Sequence, residues 1–239
     1  MWKRRHLYEK AAACYDTFIR SLVPVFDTMQ EHVVETVREV LRPRAPLRAV
    51  ELGVGTGILA FRLLSALPIK SYTGYETSDR LALLAQSRLS VFRGKVTIST
   101  EDFRYVRWPA RTDAVLSTLT LHYLSNKDKR TVFINCFQAL KPGGLVVIGD
   151  RIISRNTVMA KVYGTRMARF WDTTTKNWLP ERRKEHKTQD NPAEEPWYLE
   201  DQMRWLGEVG FSEVECVWKD FNYCVFCAVK PKTNHMERR

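Results

Sequence analysis

The chain has 239 residues, of which 44% are hydrophobic and 27% charged, and it carries a formal net charge of +11. That length suits one domain with its own core and is short for two, so residues 1–239 read as a single unit. No apolar run approaches the length of a membrane span, and the start "MWKRRHLYEKAAACYD" lacks the apolar stretch and small-residue site of a secretory signal. These exclusions leave a cytoplasmic protein with no membrane contact as the expectation.

Residues 5–42 read as helical. "YDTFIRSLVPVFDTMQEHVVETVREVL" has apolar positions spaced three and four apart, interrupted at Pro24. Short apolar segments then alternate with helix-like ones. "RAVEL" (48–52), "SYTGYE" (71–76), "KVTIST" (95–100), "DAVLST" (113–118) and "GLVVIGD" (144–150) are rich in β-branched or aromatic residues and read as strands. Between them lie "ILAFRLLSAL", "SDRLALLAQSRLSVF" and "KDKRTVFINCFQAL", with Ser78–Asp79 as a helix start and "LKPGG" as a helix end. "EDQMRWLGEVGF" reads as a helix closed near Gly210, and "SEVECVWKD" and "YCVFCAVK" as two strands joined through "DFN". The alternation predicts an α/β fold with a doubly wound, mostly parallel sheet whose last two strands form an antiparallel hairpin.

The stretch 151–196 does not belong to this repeat and reads as a cap inserted between the fifth and sixth strands. Met159, Val162, Tyr163, Met167, Phe170 and Trp171 fall on one helical face, with Arg155, Lys161, Arg166 and Arg169 mostly off it, and "ERRKEHKTQDNPAEEP" leans toward loop. Residues 151–190 hold ten Lys or Arg against four Asp or Glu. Such a basic segment fits either a solvated surface or contact with an anionic partner such as RNA.

The five cysteines, Cys14, Cys136, Cys216, Cys224 and Cys227, are odd in number and scattered, which argues against a disulfide framework. Cys224 and Cys227 form a CxxC, but on a strand positions three apart face opposite sides, so buried thiols rather than a metal site are expected.

"AVELGVGTGILAFRLL" (49–64) sets Gly53, Gly55 and Gly57 directly after the first strand and before a helix. Ligands of an open parallel sheet bind beyond the carboxyl ends of its strands, and glycine lets backbone approach them closely. A dinucleotide loop would place its third glycine at Ile58 or, counted from Gly55, at Ala60, and a Walker loop would need Gly-Lys-Ser/Thr. The pattern present is E-x-G-x-G-x-G.

With Glu76 ending the second strand, "TEDF" with Asp102 after the third, "DAVLSTLTLHYL", "ALKPGGLVVIGD" and "WLGEVGFSEVECVW" following in order, the chain resembles the class I, Rossmann-like S-adenosylmethionine-dependent methyltransferases from about residue 48 to 230, apart from the insertion. The resemblance implies a seven-stranded sheet, S-adenosylmethionine as cofactor and S-adenosylhomocysteine as product. It sets Gly53, Gly55 and Gly57 against the amino acid part of the cofactor, with Glu51 orienting the loop and meeting the ammonium. Glu76 would take the ribose hydroxyls, Asp102 would lie near the adenine amino group with Phe103 on the ring, and Thr118 to Thr120 would edge the methionine. The plainer roles are a helix-terminal charge for Glu76, a turn residue for Asp102 and core packing for Phe103. "YDTFIRSLVPVFDTM" and "LHYLSNKDKRTVF" are further similar to the branch containing the bacterial carboxy-S-adenosylmethionine synthase of tRNA wobble-uridine modification. That likeness implies a helical lid over the cofactor at 5–42, with Tyr15, Phe18 and Arg20 in it or else in helix core.

Methyl transfer from a sulfonium is an in-line displacement that chiefly needs alignment, and a protic acceptor adds the need for a general base. His122 and Tyr123 after the fourth strand and Asp150 and Arg151 at the end of the fifth stand where the acceptor belongs, His122 having the imidazole suited to neutral pH; structural packing is its alternative role. Neither the Asn/Asp-Pro-Pro-Tyr/Phe signature of nucleobase amino methylation nor a Pro-Cys suited to pyrimidine carbon chemistry is present. A small-molecule acceptor under an aromatic cap of Tyr163, Phe170, Trp171, Trp178 and Trp197 is the preferred reading. An RNA methyltransferase and a non-catalytic binding protein are the alternatives, and the sequence is silent on oligomeric state, a dimer included.

Overall fold

The computed structural model describes residues 14–174 and 195–232. In chain order these form α1 (Tyr15–Leu22), α2 (Phe26–Leu41), β1 (Leu47–Leu52), α3 (Ile58–Ala66), β2 (Ile69–Tyr75), α4 (Asp79–Arg88), β3 (Val96–Ser99), β4 (Thr112–Thr118), α5 (Asn126–Ala139), β5 (Leu140–Arg151), α6 (Thr157–Thr174), α7 (Leu199–Val209), β6 (Ser212–Asp220) and β7 (Tyr223–Val229). Short 3-10 turns occupy Leu89–Phe92 and Leu121–Tyr123.

The sheet has seven strands in the order β3-β2-β1-β4-β5-β7-β6. β1 to β5 run parallel, while β7 lies antiparallel to both β5 and β6. This is the doubly wound α/β arrangement expected, hairpin included. Strand order reverses between β1 and β4, so the loops leaving these two strands diverge and open a crevice at the carboxyl end of the sheet.

Both faces of the sheet are covered, which is why every residue of β4 is buried. One core layer joins Val50, Val146, Ile148 and Phe226 to Phe133 and Leu206 of α5 and α7. The other joins Ala49, Leu116, Val147 and Val225 to Val33, Val37 and Leu63 of α2 and α3. Cys224 lies in the first layer and Cys227 in the second, as strand alternation requires.

A third cluster forms above the crevice. Ile19, Val23 and Phe26 pack with Met167 of α6 and Tyr223, and Tyr15, Ile58, Leu119, Phe170 and Trp171 join its edge. The indole of Trp171 donates to the Leu22 carbonyl at 2.9 Å. Pro24 breaks the amino-terminal helical stretch as expected, and the break lets α1 turn back over the sheet's end and meet α6 there.

Three details differ from expectation. β5 begins at Leu140 rather than Gly144, because Leu140 is already extended and pairs with Thr112, and Gly143, at φ +77°, donates its amide to Lys230 at 2.8 Å. Val162 is 39% exposed, whereas Arg166 turns inward, binding Asp220 at 2.8 and 2.9 Å and lying 4.1 Å over the Phe221 ring. The inner face of α6 is fitted to α1 and the hairpin turn, and an arginine stem covers apolar surface as well as a valine does. Trp197 packs apart from α6, in the core layer against α5 and α7, with the Lys129 ammonium 4.5 Å over its ring. Trp178, residues 5–13 and most of "ERRKEHKTQDNPAEEP" lie outside the described residues. Among those described, no helix is long and apolar enough to cross a membrane.

Candidate functional site

The loop leaving β1 is tied to β2 by its backbone: the amides of Gly53 and Val54 both donate to the Tyr75 carbonyl at 2.9 Å. Gly53 and Gly55 have φ of +78° and +56°, in the left-handed region. Their surroundings differ. A Cβ on Gly53 would lie 2.1 Å from the hydroxyl oxygen of Thr120, whereas one on Gly55 would meet nothing within 4 Å. Gly53 is bare because Thr120 presses on it, and Gly55 is bare facing open space in the crevice.

Glu76, just past β2, braces the same loop. Its carboxylate accepts the Gly55 amide at 3.0 Å and the Ser78 amide at 2.9 Å, and its own amide donates to the Ser99 carbonyl. One acid thereby joins the ends of β2 and β3 to the glycine loop and to the start of α4, where Ser78 caps the Leu81 amide. Glu51, one residue before the end of β1, is 1% exposed and accepts the Tyr72 hydroxyl. Burial pushes its carboxyl up to about 8, the Tyr72 hydrogen bond opposing the shift and the charge of Glu76 adding to it.

At the far side, Asp102 accepts the Arg104 amide at 3.0 Å and its guanidinium at 2.6 to 3.1 Å, and Arg104 also reaches Asp128. Burial works to raise the Asp102 carboxyl, but Arg104 outweighs it and holds the group below its ordinary value. Phe103 is 2% exposed and packs in the core with Tyr75 and Trp108, whose indole donates to the Phe103 carbonyl.

Thr118 and Thr120 are buried at the exit of β4, the Thr120 hydroxyl donating to the Thr118 carbonyl at 2.9 Å. The 3-10 turn that follows sets His122 beside the end of β5. Asp150, fully buried, lies 2.6 Å from His122 Nδ1 and accepts the His122 amide at 3.2 Å and the Arg151 amide at 2.7 Å. The Tyr123 ring lies 3.9 Å from the imidazole. An imidazole facing a carboxylate through Nδ1 carries its proton there and its lone pair on Nε2, the arrangement of an oriented base.

Of the three expected lid residues, Tyr15 is the one on which the charges of Tyr123 and Glu76 act. Burial raises its phenol well above the ordinary value, and the charges of Tyr123, Glu76 and Asp16 add to the shift, so it stays neutral among groups from both sides of the crevice. Phe18 is buried with its ring 6.4 Å from that of Tyr15, and Arg20 lies at the α1–α2 corner, bidentate to Asp27 at 2.7 and 2.8 Å. Sequence reasoning missed Asp16, Thr56, Tyr72 and Arg88, all of which touch the loop or its acids. Only Thr56, the one side chain between Gly55 and Gly57, left a mark in the sequence. Among the described residues no group of three or more His, Cys, Asp or Glu is placed to hold a metal.

Comparison with known proteins agrees with this geometry. Residues 50–146 match the model of a family described as a methyltransferase domain. An uncharacterized methyltransferase of Oceanobacillus iheyensis is 29% identical over 147 residues, covering 60% of this chain and 65% of that relative. Among solved structures, the S-adenosylmethionine-dependent methyltransferase SibL superposes with a TM-score of 0.58 at 20% identity, covering 82% of this chain and 55% of its own. Phosphoethanolamine N-methyltransferase 2 of Haemonchus contortus, in complex with S-adenosylmethionine, gives 0.61 at 18% identity over 84% of this chain and 52% of its own. The fold is that of the class I S-adenosylmethionine-dependent methyltransferases. The chain spans about half the length of those two solved structures and 65% of that curated relative.

Proposed function

We propose that the chain transfers a methyl group from S-adenosylmethionine to a small-molecule acceptor that loses a proton in the reaction. The observation that carries this reading is the placement of a Glu76-braced glycine loop and a buried His122–Asp150 pair at the two sides of one crevice, where strand order reverses. The residues present fit the cofactor: the open space at Gly55 admits a ligand against bare backbone, and the Glu76 carboxylate at the end of β2 suits a diol.

When bound, the cofactor supplies an electrophilic methyl on its sulfonium. Gly53, Gly55 and Gly57 line its amino acid end, and Glu51, ionised by the ammonium, balances that charge from beneath. Glu76 holds the ribose, Asp102 and Phe103 border the adenine end, and Thr118 edges the methionine. Tyr15 closes the top, the one feature taken over from the carboxy-S-adenosylmethionine synthase branch, and Arg20 fixes the corner from which α1 reaches over. His122 takes the acceptor's proton on Nε2 while Asp150 holds the ring in place, and Tyr123 walls the acceptor side.

Two of the basic residues in 151–190 are matched locally, Arg155 with Asp201 at 2.7 Å and Arg166 with Asp220. These two are engaged within the fold, and a small acceptor also accords with the solved neighbour named for phosphoethanolamine. Calorimetric titration with S-adenosylmethionine and S-adenosylhomocysteine tests the cofactor half. Binding in the micromolar range, abolished in Glu76→Ala, is expected; a chain that binds neither at high micromolar concentration overturns it. Labelled methyl incorporation into the small-molecule fraction of a cell extract, and not into its RNA, is the expected result for the acceptor half.

A further inference from the structure

Thr56 is 4% exposed and sits between two loop glycines, yet its hydrogen bonds leave the loop altogether. Its hydroxyl donates to Asp16 of α1 at 2.6 Å. Arg88, the last residue of α4, donates from one guanidinium nitrogen to the Thr56 carbonyl at 2.6 Å and to its hydroxyl oxygen at 2.8 Å, and from the other to Asp16. A planar fork matched to a carboxylate on one side and a carbonyl on the other is a geometry arginine can satisfy and lysine cannot.

The two ends of α1 are held differently. At its carboxyl end Arg20 is bidentate to Asp27, Arg62 adds a contact to the same carboxylate, and Trp171 holds the Leu22 carbonyl. At its amino end, Asp16 is the residue seen to grip the loop, and the chain beyond α1 turns at Val23–Val25. Tyr15 is adjacent to Asp16, and the charges of Tyr123 and Glu76 act on its phenol. Where Asp16 sits therefore determines where Tyr15 sits, and the loop that Asp16 grips is the loop Glu76 braces from the other side.

We propose that Arg88 is a positioning residue of the cofactor site: by clamping Asp16 to Thr56 it latches α1 onto the glycine loop, so that helix closure and loop geometry are set together. The inference rests on the cofactor reading given above. Among the described residues Arg88 bonds to Asp16 and Thr56 and not to Glu51, Glu76, His122 or Asp150, so it acts through its two partners. Opening the latch frees the amino end of α1 to swing about its fixed carboxyl end, and it releases Thr56 without touching Glu76.

Two measurements on the full chain test this, with Arg88→Gln, Asp16→Asn and the double variant. The first needs no cofactor: amide hydrogen exchange over residues 15–22 in the unliganded protein is expected to rise about tenfold in either single variant, with protection of β4 and β5 unchanged. The second is the affinity and dissociation rate of S-adenosylhomocysteine. Each single variant is expected to weaken binding about fivefold through faster dissociation, and the double variant to lose no more than the worse single, because both act through one contact. Arg88→Lys is expected to rescue neither property. Unchanged exchange at α1, or losses that simply add, would overturn the latch. A wild-type chain that binds no S-adenosylhomocysteine while its α1 exchange still responds to Arg88→Gln would instead overturn the cofactor reading and leave the latch standing.

Discussion

Two carboxylates, Glu51 and Asp150, are almost wholly removed from water at the same end of the sheet, and their partners differ. Asp150 is faced by three nitrogens, two backbone amides and an imidazole. Glu51 has the Tyr72 hydroxyl, and burial lifts its carboxyl to about 8. Because that value lies above the ordinary 4.5, the folded chain holds the Glu51 proton more tightly than the unfolded chain does, and stability falls as pH rises from about 4.5 to about 8. The full effect is on the order of 5 kcal/mol as an upper bound. Glu51→Gln is expected to remove this slope, so that its melting temperature exceeds that of the natural chain at about pH 8 and matches it near pH 4 to 5. Melting curves across that range check it, and parallel curves for the two chains would refute it. Asp150 yields a different expectation. Replacing His122 by Asn, or Asp150 by Asn, should lower turnover by about a hundredfold while leaving S-adenosylhomocysteine affinity within about twofold, if the pair serves the acceptor's proton as proposed. A loss of cofactor affinity instead would make the pair structural.

At the scale of elements, the glycine loop separates two costs that sequence alone presents as one. Gly53→Ala forces a methyl group into Thr120 at a positive φ, and a loss of roughly 2 kcal/mol or more of stability is expected, whether or not cofactor is present. Gly55→Ala also meets a positive φ but no neighbour, so it should cost about 1 to 2 kcal/mol and leave the chain folded. Its methyl group points where a ligand would lie, and S-adenosylhomocysteine affinity should fall by more than about tenfold. Thermal melts and calorimetry on the two variants distinguish the roles. The strands, their order of appearance and the break at Pro24 were legible because hydrophobic period and proline act locally. Harder to read were Thr120 against Gly53, Tyr72 against Glu51 and Arg88 on Thr56, pairings between residues 21 to 67 positions apart that leave no periodic trace. Asp102 was visible as an acid after β3, but its engagement with Arg104 two residues on reflects side-chain geometry that no motif encodes. The inward face of α6 was misread at Val162 and Arg166 because apolar spacing weighs a side chain's head and ignores its stem.

For the whole molecule, the net charge of +11 is the excess of 38 Lys and Arg over 27 Asp and Glu, and part of the basic set is already engaged with acids. Arg62 meets Asp27 and Glu31, Arg88 meets Asp16, Arg104 meets Asp102 and Asp128, Arg155 meets Asp201 and Arg166 meets Asp220. These arginines are held by acids of neighbouring elements, and a guanidinium already paired with a carboxylate is poorly placed to release counterions from a phosphate chain. RNA binding, if measured, should therefore be weak and shallow in salt: a plot of log affinity against log salt concentration is expected to have a slope of magnitude below about 2, corresponding to about two phosphates or fewer. A protein built to grip tRNA through the 151–190 segment would show several times that slope. Filter binding of bulk tRNA across a salt series gives the number directly. A steep slope would move the acceptor from a small molecule to RNA while leaving the cofactor loop, Glu76 and the latch as they stand, since none of these depends on what receives the methyl group.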